Sequence, residues 1–250
     1  MKKILVIGES CKDIFVYCNA DRLAPDLPIP VLSIIEQKEN PGMAKNVERN
    51  VKSITDSCDI VTNADWECVT KTRYIHHNSN HAFLRVDTDH HIPRVDVRKI
   101  PLTHDIIAIS DYNKGFLTED DIQYICENHS NVFLDTKKIL GDWATKAKFI
   151  KINNYEYERS KHLIPPTLKD KIICTKGNQG ATFRDKVYPV KKAEVKDTSG
   201  AGDSFFAALL VKYAQIGDIE KAIAFANKCA SKVVQRRGVT VIENNILDID

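Results

Sequence analysis

Several features are scarce or missing in this chain, and each absence narrows its reading. There is no charge excess of either sign: 36 lysines and arginines against 34 aspartates and glutamates leave +2 over 250 residues. No basic block stands out, so nothing points to a polyanion such as nucleic acid. There is no C-x-x-C pair, and the seven cysteines are scattered and odd in number. That suits reduced thiols in a cytoplasm better than a disulfide framework. No apolar run approaches a bilayer span, and Ile4–Ile7, behind Met1-Lys2-Lys3, is too short for the core of a signal peptide. Internal repeats and low-complexity stretches are missing too. What remains is an ordinary composition, 43% hydrophobic and 28% charged, large enough for one sizeable core. A single cytoplasmic domain over residues 1–250 is expected, with neither membrane nor nucleic acid as partner.

The chain is organised around Asp197-Thr198-Ser199-Gly200-Ala201-Gly202-Asp203. The run that follows, Ser204 to Tyr213, leaves almost no polar face and reads as a buried helix. The glycines therefore lie at a helix N-terminus, where backbone N–H groups lack intrahelical partners and the macrodipole is positive. Gly200 and Gly202 carry no side chain to keep a phosphate from those donors, which makes an anion site. Asp203 would repel a phosphate that was merely bound. It is suited to accept a proton from a hydroxyl held between carboxylate and phosphate, while the amides hold the charge on a transferred phosphoryl group. The same residues also suit a tight turn, with Thr198 or Ser199 as cap and Asp203 complementing the dipole.

Taken in order, Ile4–Ile7 reads as a buried parallel strand ending at Gly8. Residues 14–17 and 31–35 read as strands flanking a proline-rich loop, an excursion from the main sheet. Residues 44–54 read as a helix with Val47, Val51 and Ile54 on one side. Residues 51–73 are too short for a full βαβ unit of roughly 30 residues, although 59–62 suit a short strand. One or two strands are predicted within 72–86, beside the first excursion. From residue 100 strands and helices alternate: strands at 105–110, 131–135, 149–153 and 171–175, and a helix capped by Thr118. A hairpin over 181–190, a helix over 219–236 and a return to the sheet at 239–241 complete the pattern. This is an α/β chain with a mostly parallel sheet. Ser110, Asp111, Asp135, Asn153 and Thr175 fall at the strand ends where such sheets bind ligands.

These residues resemble the pfkB (ribokinase-like) carbohydrate kinases. Asp197–Asp203 is similar to their D-T-x-G-A-G-D signature. Gly8-Glu9 through Asp13, then Arg22 to Val31, resembles the G-D-x-x-x-D … R-I-S-P-E-A-P-V-P-V stretch of the heptose-7-phosphate kinase branch. Pro41-Gly42-Met43-Ala44-Lys45-Asn46-Val47 resembles P-G-G-A-A-N-V, and residues 71–87 resemble a lid strand. Ser110 to Gly115 resembles S-D-Y-x-K-G, Asp135-Thr136-Lys137 resembles D-P-K, and Asn153 to Glu158 resembles N-L-S-E-F-E. The resemblance implies a three-layer ribokinase-like sandwich with a small β lid formed by segments 13–40 and 71–92, and a homodimer paired through that lid. It implies ATP and Mg²⁺ as cofactors and a small sugar or sugar phosphate as substrate. Asp203 would be the base, with Gly200, Ala201 and Gly202 as the anion hole. Asp13, Gly42 and Asn46 would hold sugar hydroxyls. Asn153, Asn154, Tyr155 and Glu156 would lie against the ATP phosphates, with Glu156 reaching magnesium through water. Thr175, Gly177 and Asn227 would border the nucleotide.

Three lysines and arginines are candidates for a substrate phosphate: Lys45, equally a solvated helix residue; Arg85, which alternates with Leu84 and Val86 on a strand; and Lys114. Lys137 would serve ATP or simply end a strand. His76, His77, His81, His90 and His91 lack metal-ligand spacing and read as lid or surface residues. Met43 stands where the branch has glycine, Lys45 where it has a small residue, and the strand–helix structure expected after residue 51 is missing, as is a C-terminal nucleotidyltransferase domain. The pattern thus predicts a trimmed kinase for a phosphorylated sugar. Two alternatives are a sugar-phosphate or nucleotide sensor without efficient catalysis, and a kinase for an unphosphorylated sugar such as ribose or a keto-deoxy acid.

Overall fold

The computed structural model describes residues 2–88, 91–191 and 193–242. Residues 89 and 90 of the expected lid segment, including His90, and residues 243–250 of the expected domain lie outside these. An eight-stranded sheet forms the centre. Its strands are β1 (Ile4–Gly8), β4 (Cys58–Val61), β7 (Ile106–Asp111), β8 (Val132–Thr136), β9 (Phe149–Asn153), β10 (Ile172–Thr175), β11 (Ala181–Phe183) and β12 (Lys186–Tyr188). Their order is β12-β11-β10-β9-β8-β7-β1-β4. β10 through β4 run parallel, and the β11–β12 hairpin is antiparallel at one edge.

The parallel strands are apolar on both faces because helices cover both. Ile4 and Val6 point into one core with Ile106, Ala108 and Phe133; Leu5 and Ile7 point into the other with Ile107, Ile109 and Leu134. On the first face lie α1 (Ala44–Lys52), α4 (Ala201–Ile216) and α5 (Ile219–Val233); on the second lie α2 (Glu119–Asn128) and α3 (Asn154–Ser160). Helix α4 is apolar all round because it is sandwiched: Phe205 through Val211 are all buried. Helix α2 starts as its sequence predicts, with Thr118 and Asp121 in a reciprocal capping box.

A second sheet of four strands stands beside the first, in the order β3-β2-β5-β6: β2 (Ser10–Leu23), β3 (Pro30–Met43), β5 (Thr70–His76) and β6 (Ala82–Asp87). The two excursions of the sequence are thus joined by parallel pairing of β2 with β5. After α1 the chain has only β4 and the turns of 62–69 before it enters the lid. The expected strand at 239–241 does not form. Val239 instead packs on Phe15, Tyr17 and Ile75 of the lid, and the Ile242 amide bonds to Asn50 Oδ1 at 3.1 Å. Burial against the lid replaces a sheet partner there.

Met43, just before α1, has φ 60° and ψ −131°, a region natural to glycine and strained for other residues. Its side chain is buried in the second core rather than at a sugar wall. Removing that side chain loses packing in both Met43→Ala and Met43→Gly, but only glycine also relieves the backbone. Met43→Gly is therefore expected to be the less destabilising of the two, by about 1–3 kcal/mol, in chemical denaturation.

Candidate active site

The C-terminal ends of the parallel strands and the start of α4 enclose a cavity of about 720 Å³. Gly200, with φ 75°, turns the chain into α4; a Cβ there would stand 2.9 Å from Asn46 Nδ2, so the position suits only glycine. Asp197 shapes the approach by accepting the amides of Ser199 at 2.8 Å and Gly238 at 3.1 Å. The Ala201 amide bonds to the Thr198 carbonyl at 3.2 Å. The amides of Gly202 and Asp203, in the first helical turn, have no helical carbonyl before them and belong to residues that line the cavity.

Asp203 lines the cavity with only 6% of its surface exposed. Tyr112 donates its hydroxyl to Oδ1 at 2.6 Å, and Asn46 Nδ2 donates to Oδ2 at 2.8 Å. Each carboxylate oxygen retains acceptor capacity for a third group. Burial raises the Asp203 pKa above its ordinary value of 3.8, against the two hydrogen bonds, which favour the anion. Burial, reinforced by the Asp203 charge, pushes the Tyr112 hydroxyl well above its usual range, so it stays a donor. The partners are themselves held. Asn50 Nδ2 bonds to Asn46 Oδ1 at 3.2 Å and to its carbonyl at 2.8 Å, and Ser204 bonds to Asn50 Oδ1 at 3.1 Å, a buried polar ladder between α1 and α4. Glu9, fully buried, accepts the amides of Tyr112 at 2.8 Å and Lys114 at 2.7 Å, which fixes the turn that carries Tyr112.

Two cations complete the cavity wall. Lys151, in the middle of β9 and 3% exposed, lies 2.7 Å from Asp135 on neighbouring β8. A Cβ on Gly202 would be 3.2 Å from its Nζ, so this ammonium sits against the turn that would hold an anion. Lys137 reaches Glu156; burial opposes its charge, but Asp135 and Glu156 hold its pKa above the usual value. The sequence reading passed over Lys151 and Tyr112. The available signal was a lysine inside the otherwise apolar Phe149-Ile150-Lys151-Ile152, since a buried lysine is rare unless paired.

The structure brings Asn153, Thr175, Gly177, Gly200, Ala201, Gly202, Asp203 and Asn227 to the one cavity. Asn154 and Tyr155 are exposed at the start of α3, Tyr155 by 71%, and do not line it. Glu156, expected to meet magnesium through water, has its oxygens taken by the Asn153 amide, Asn153 Nδ2 and Lys137; it caps α3 and steers Lys137. Asp13 is engaged by Arg73 at 2.6 Å, and Gly42 is required beside it, since a Cβ would come within 2.4 Å of Asp13 Oδ2. Asn46 bonds the carboxylate of Asp203 rather than standing free for a sugar. Lys45 turns away, over the Trp66 ring and 3.5 Å from Glu48, in a different recess. Arg85 is bound twice to Asp87, and Lys114 borders a third recess. Among the described residues no group of three or more His, Cys, Asp or Glu side chains is placed to hold a metal ion, and no helix is long and apolar enough to cross a membrane.

The fold is that of ribokinase from Thermotoga maritima (TM-score 0.76, 17% identity, all of both chains covered) and of a nucleoside kinase from Methanocaldococcus jannaschii (TM-score 0.75, 18% identity, 99% and 97% covered). In sequence the chain is similar to the bifunctional protein HldE of Helicobacter pylori, 28% identical in strain P12 and 30% in strain 26695, with 95% of this chain and 64% of the strain P12 protein covered. The chain therefore spans just under two thirds of the length of these relatives. The strain P12 alignment runs over 297 residues, more than this chain possesses, so the relative carries segments that are missing here. The profile of pfkB family carbohydrate kinases matches residues 109–245, more than half the sequence and all of the anion-site turn, and the chain belongs to that family.

Proposed function

We propose that this protein transfers the γ-phosphoryl group of ATP to a hydroxyl of a small phosphorylated sugar, of the heptose-7-phosphate kind. The observation that carries the reading is the buried Asp203 carboxylate, oriented by Tyr112 and Asn46, beside a helix-start anion site backed by Lys151. The adenine and ribose would lie along Thr175, Gly177 and Asn227, and the phosphates would reach the amides of Gly202 and Asp203. Asp203 then takes the proton of the attacking hydroxyl, and Lys151, Lys137 and the amides hold the charge on the moving group. Magnesium, which shields the phosphates when bound, would arrive on the nucleotide and through water, the usual habit of this ion at phosphate sites. The heptose assignment draws support from the HldE relatives and from the match of residues 22–31 and 110–115 to that branch. The exposed Leu23, Ile34, Ile35, Leu84 and Val86 of the lid support pairing of two copies there. The seven free cysteines suit a cytoplasmic site.

ADP release with a panel of sugars and sugar phosphates tests the reading; binding of ATP and sugar without turnover would favour a sensor. Acid dependence adds a sharper check. Because burial raises the Asp203 pKa, kcat/KM is expected to fall on acidification already above pH 3.8, as one group gains a proton. The stability contribution of the same group has the opposite sign. Its folded pKa exceeds the unfolded one, so between the two the folded state binds more protons, and stability rises as pH falls through that window. An acid limb at or below the ordinary aspartate range would remove Asp203 from the base's role.

A further inference from the structure

A recess of about 430 Å³ opens between the lid and the 112–115 turn, bordered by Lys71, Asp87, Thr88, His91, Asn113 and Lys114. Its charge balance is unusual. Asp87 stands directly across from Lys71 in the β5–β6 register and is the natural partner for that ammonium. Yet the Asp87 carboxylate is taken by Arg85, through two N–H···O bonds of 2.6 Å each. Lys71 is left only 8% exposed, against the Tyr112 ring and the Cys11 thiol, with no carboxylate within ion-pair distance among the described residues. A buried ammonium without an anion is costly. Lys114, exposed on the facing turn with its amide anchored by Glu9, adds a second cation to the same opening.

The position of this recess relative to the base is equally specific. Lys71 Nζ lies 4.9 Å from the centre of the Tyr112 ring, and the Tyr112 hydroxyl is 2.6 Å from Asp203. One phenol ring thus separates the unpaired cation from the carboxylate, a span that a sugar carrying a phosphate on its far carbon can bridge. We propose that this recess binds the phosphate already present on the acceptor, through Lys71 and Lys114, so that the enzyme phosphorylates the opposite end of a sugar monophosphate. A phosphate monoester, at −1.5 to −2 near neutral pH, matches the two ammonium groups. Arg85 becomes a positioning residue: by holding Asp87 it keeps Lys71 available. The inference rests on the kinase reading of Asp203 but uses different residues and fails separately.

Calorimetry on the full chain, with the large cavity filled by a non-hydrolysable ATP analogue, tests it. The probes are inorganic phosphate and the pairs ribose and ribose 5-phosphate, fructose and fructose 6-phosphate, and sedoheptulose and its 7-phosphate. Inorganic phosphate and at least one sugar phosphate are expected to bind, the latter at least tenfold tighter than its parent sugar. Lys71→Met and Lys114→Met should each weaken those phosphates at least tenfold and leave the ATP analogue unaffected; Lys71→Arg should recover part of the loss. Lys114 is exposed, so its variant folds whatever becomes of Lys71→Met. Equal affinity for sugar and sugar phosphate, no phosphate binding to the nucleotide-filled protein, or variants that bind phosphate as before would overturn the proposal. Failure to bind the ATP analogue, with lysine-dependent phosphate binding intact, would instead sink the kinase reading and leave this recess standing.

Discussion

Asp203→Asn is expected to bind ATP as the parent does and to turn it over about 10²–10⁴-fold more slowly, a barrier increase of roughly 3–5 kcal/mol. The amide keeps the shape of the carboxylate and an oxygen for the Tyr112 hydroxyl, but it has no lone pair basic enough to take the acceptor's proton. Because the native carboxylate is held ionised in a site that raises its pKa, removing the charge should not lower the melting temperature. Activity and stability thus separate, as they do where a functional group is strained by its surroundings. Measured by ADP release beside a melting curve, unchanged turnover would remove Asp203 from the chemistry. A collapse of both would show that the carboxylate serves the fold.

The second expected result concerns Lys151. Lys151→Met should cost about 10²–10³-fold in kcat, the usual loss when one preorganised donor to a developing charge is removed. It should also destabilise the fold, because Asp135 would lose its 2.7 Å partner in an interior where breaking a buried pair costs about 3–5 kcal/mol. The two effects are separable. Asp135→Asn added to Lys151→Met removes the stranded charge and should return most of the melting temperature while turnover stays low. Recovery of turnover together with stability would mean that Lys151 acts only as a counter-charge for Asp135.

Much of this arrangement was legible in the residues. The β1, β7, β8 and β9 strands were marked by short apolar runs, α2 by Thr118, and α4 by its unbroken apolar length, because each pattern is local. The anion turn was legible for the same reason: two glycines and an acidic residue at a helix start have few other uses. The strand expected at 239–241 failed because a three-residue apolar stretch does not say whether it will meet a sheet edge or the back of a lid. Lys45 and Arg85 read as cations open to a phosphate, yet Lys45 stacks over Trp66 and Arg85 is spent on Asp87. A cation's availability depends on which carboxylate is nearest in space, and that is a long-range matter.

From its order of residues alone, this chain specified an alternating α/β layout, a lid built from two excursions, a glycine-bounded helix start and the acidic residue beside it. Those features rest on backbone preference and on short-range hydrophobic period. Chain folding in three dimensions settled the rest: that Tyr112 and Asn46, 91 and 157 positions away from Asp203, converge on its two oxygens; that Lys151 comes up beneath Gly202; and that Lys71 loses its carboxylate to Arg85. Proton affinity and charge balance depend on distances of a few ångströms between groups far apart in sequence, and only the packing of the two sheets around α4 sets those distances.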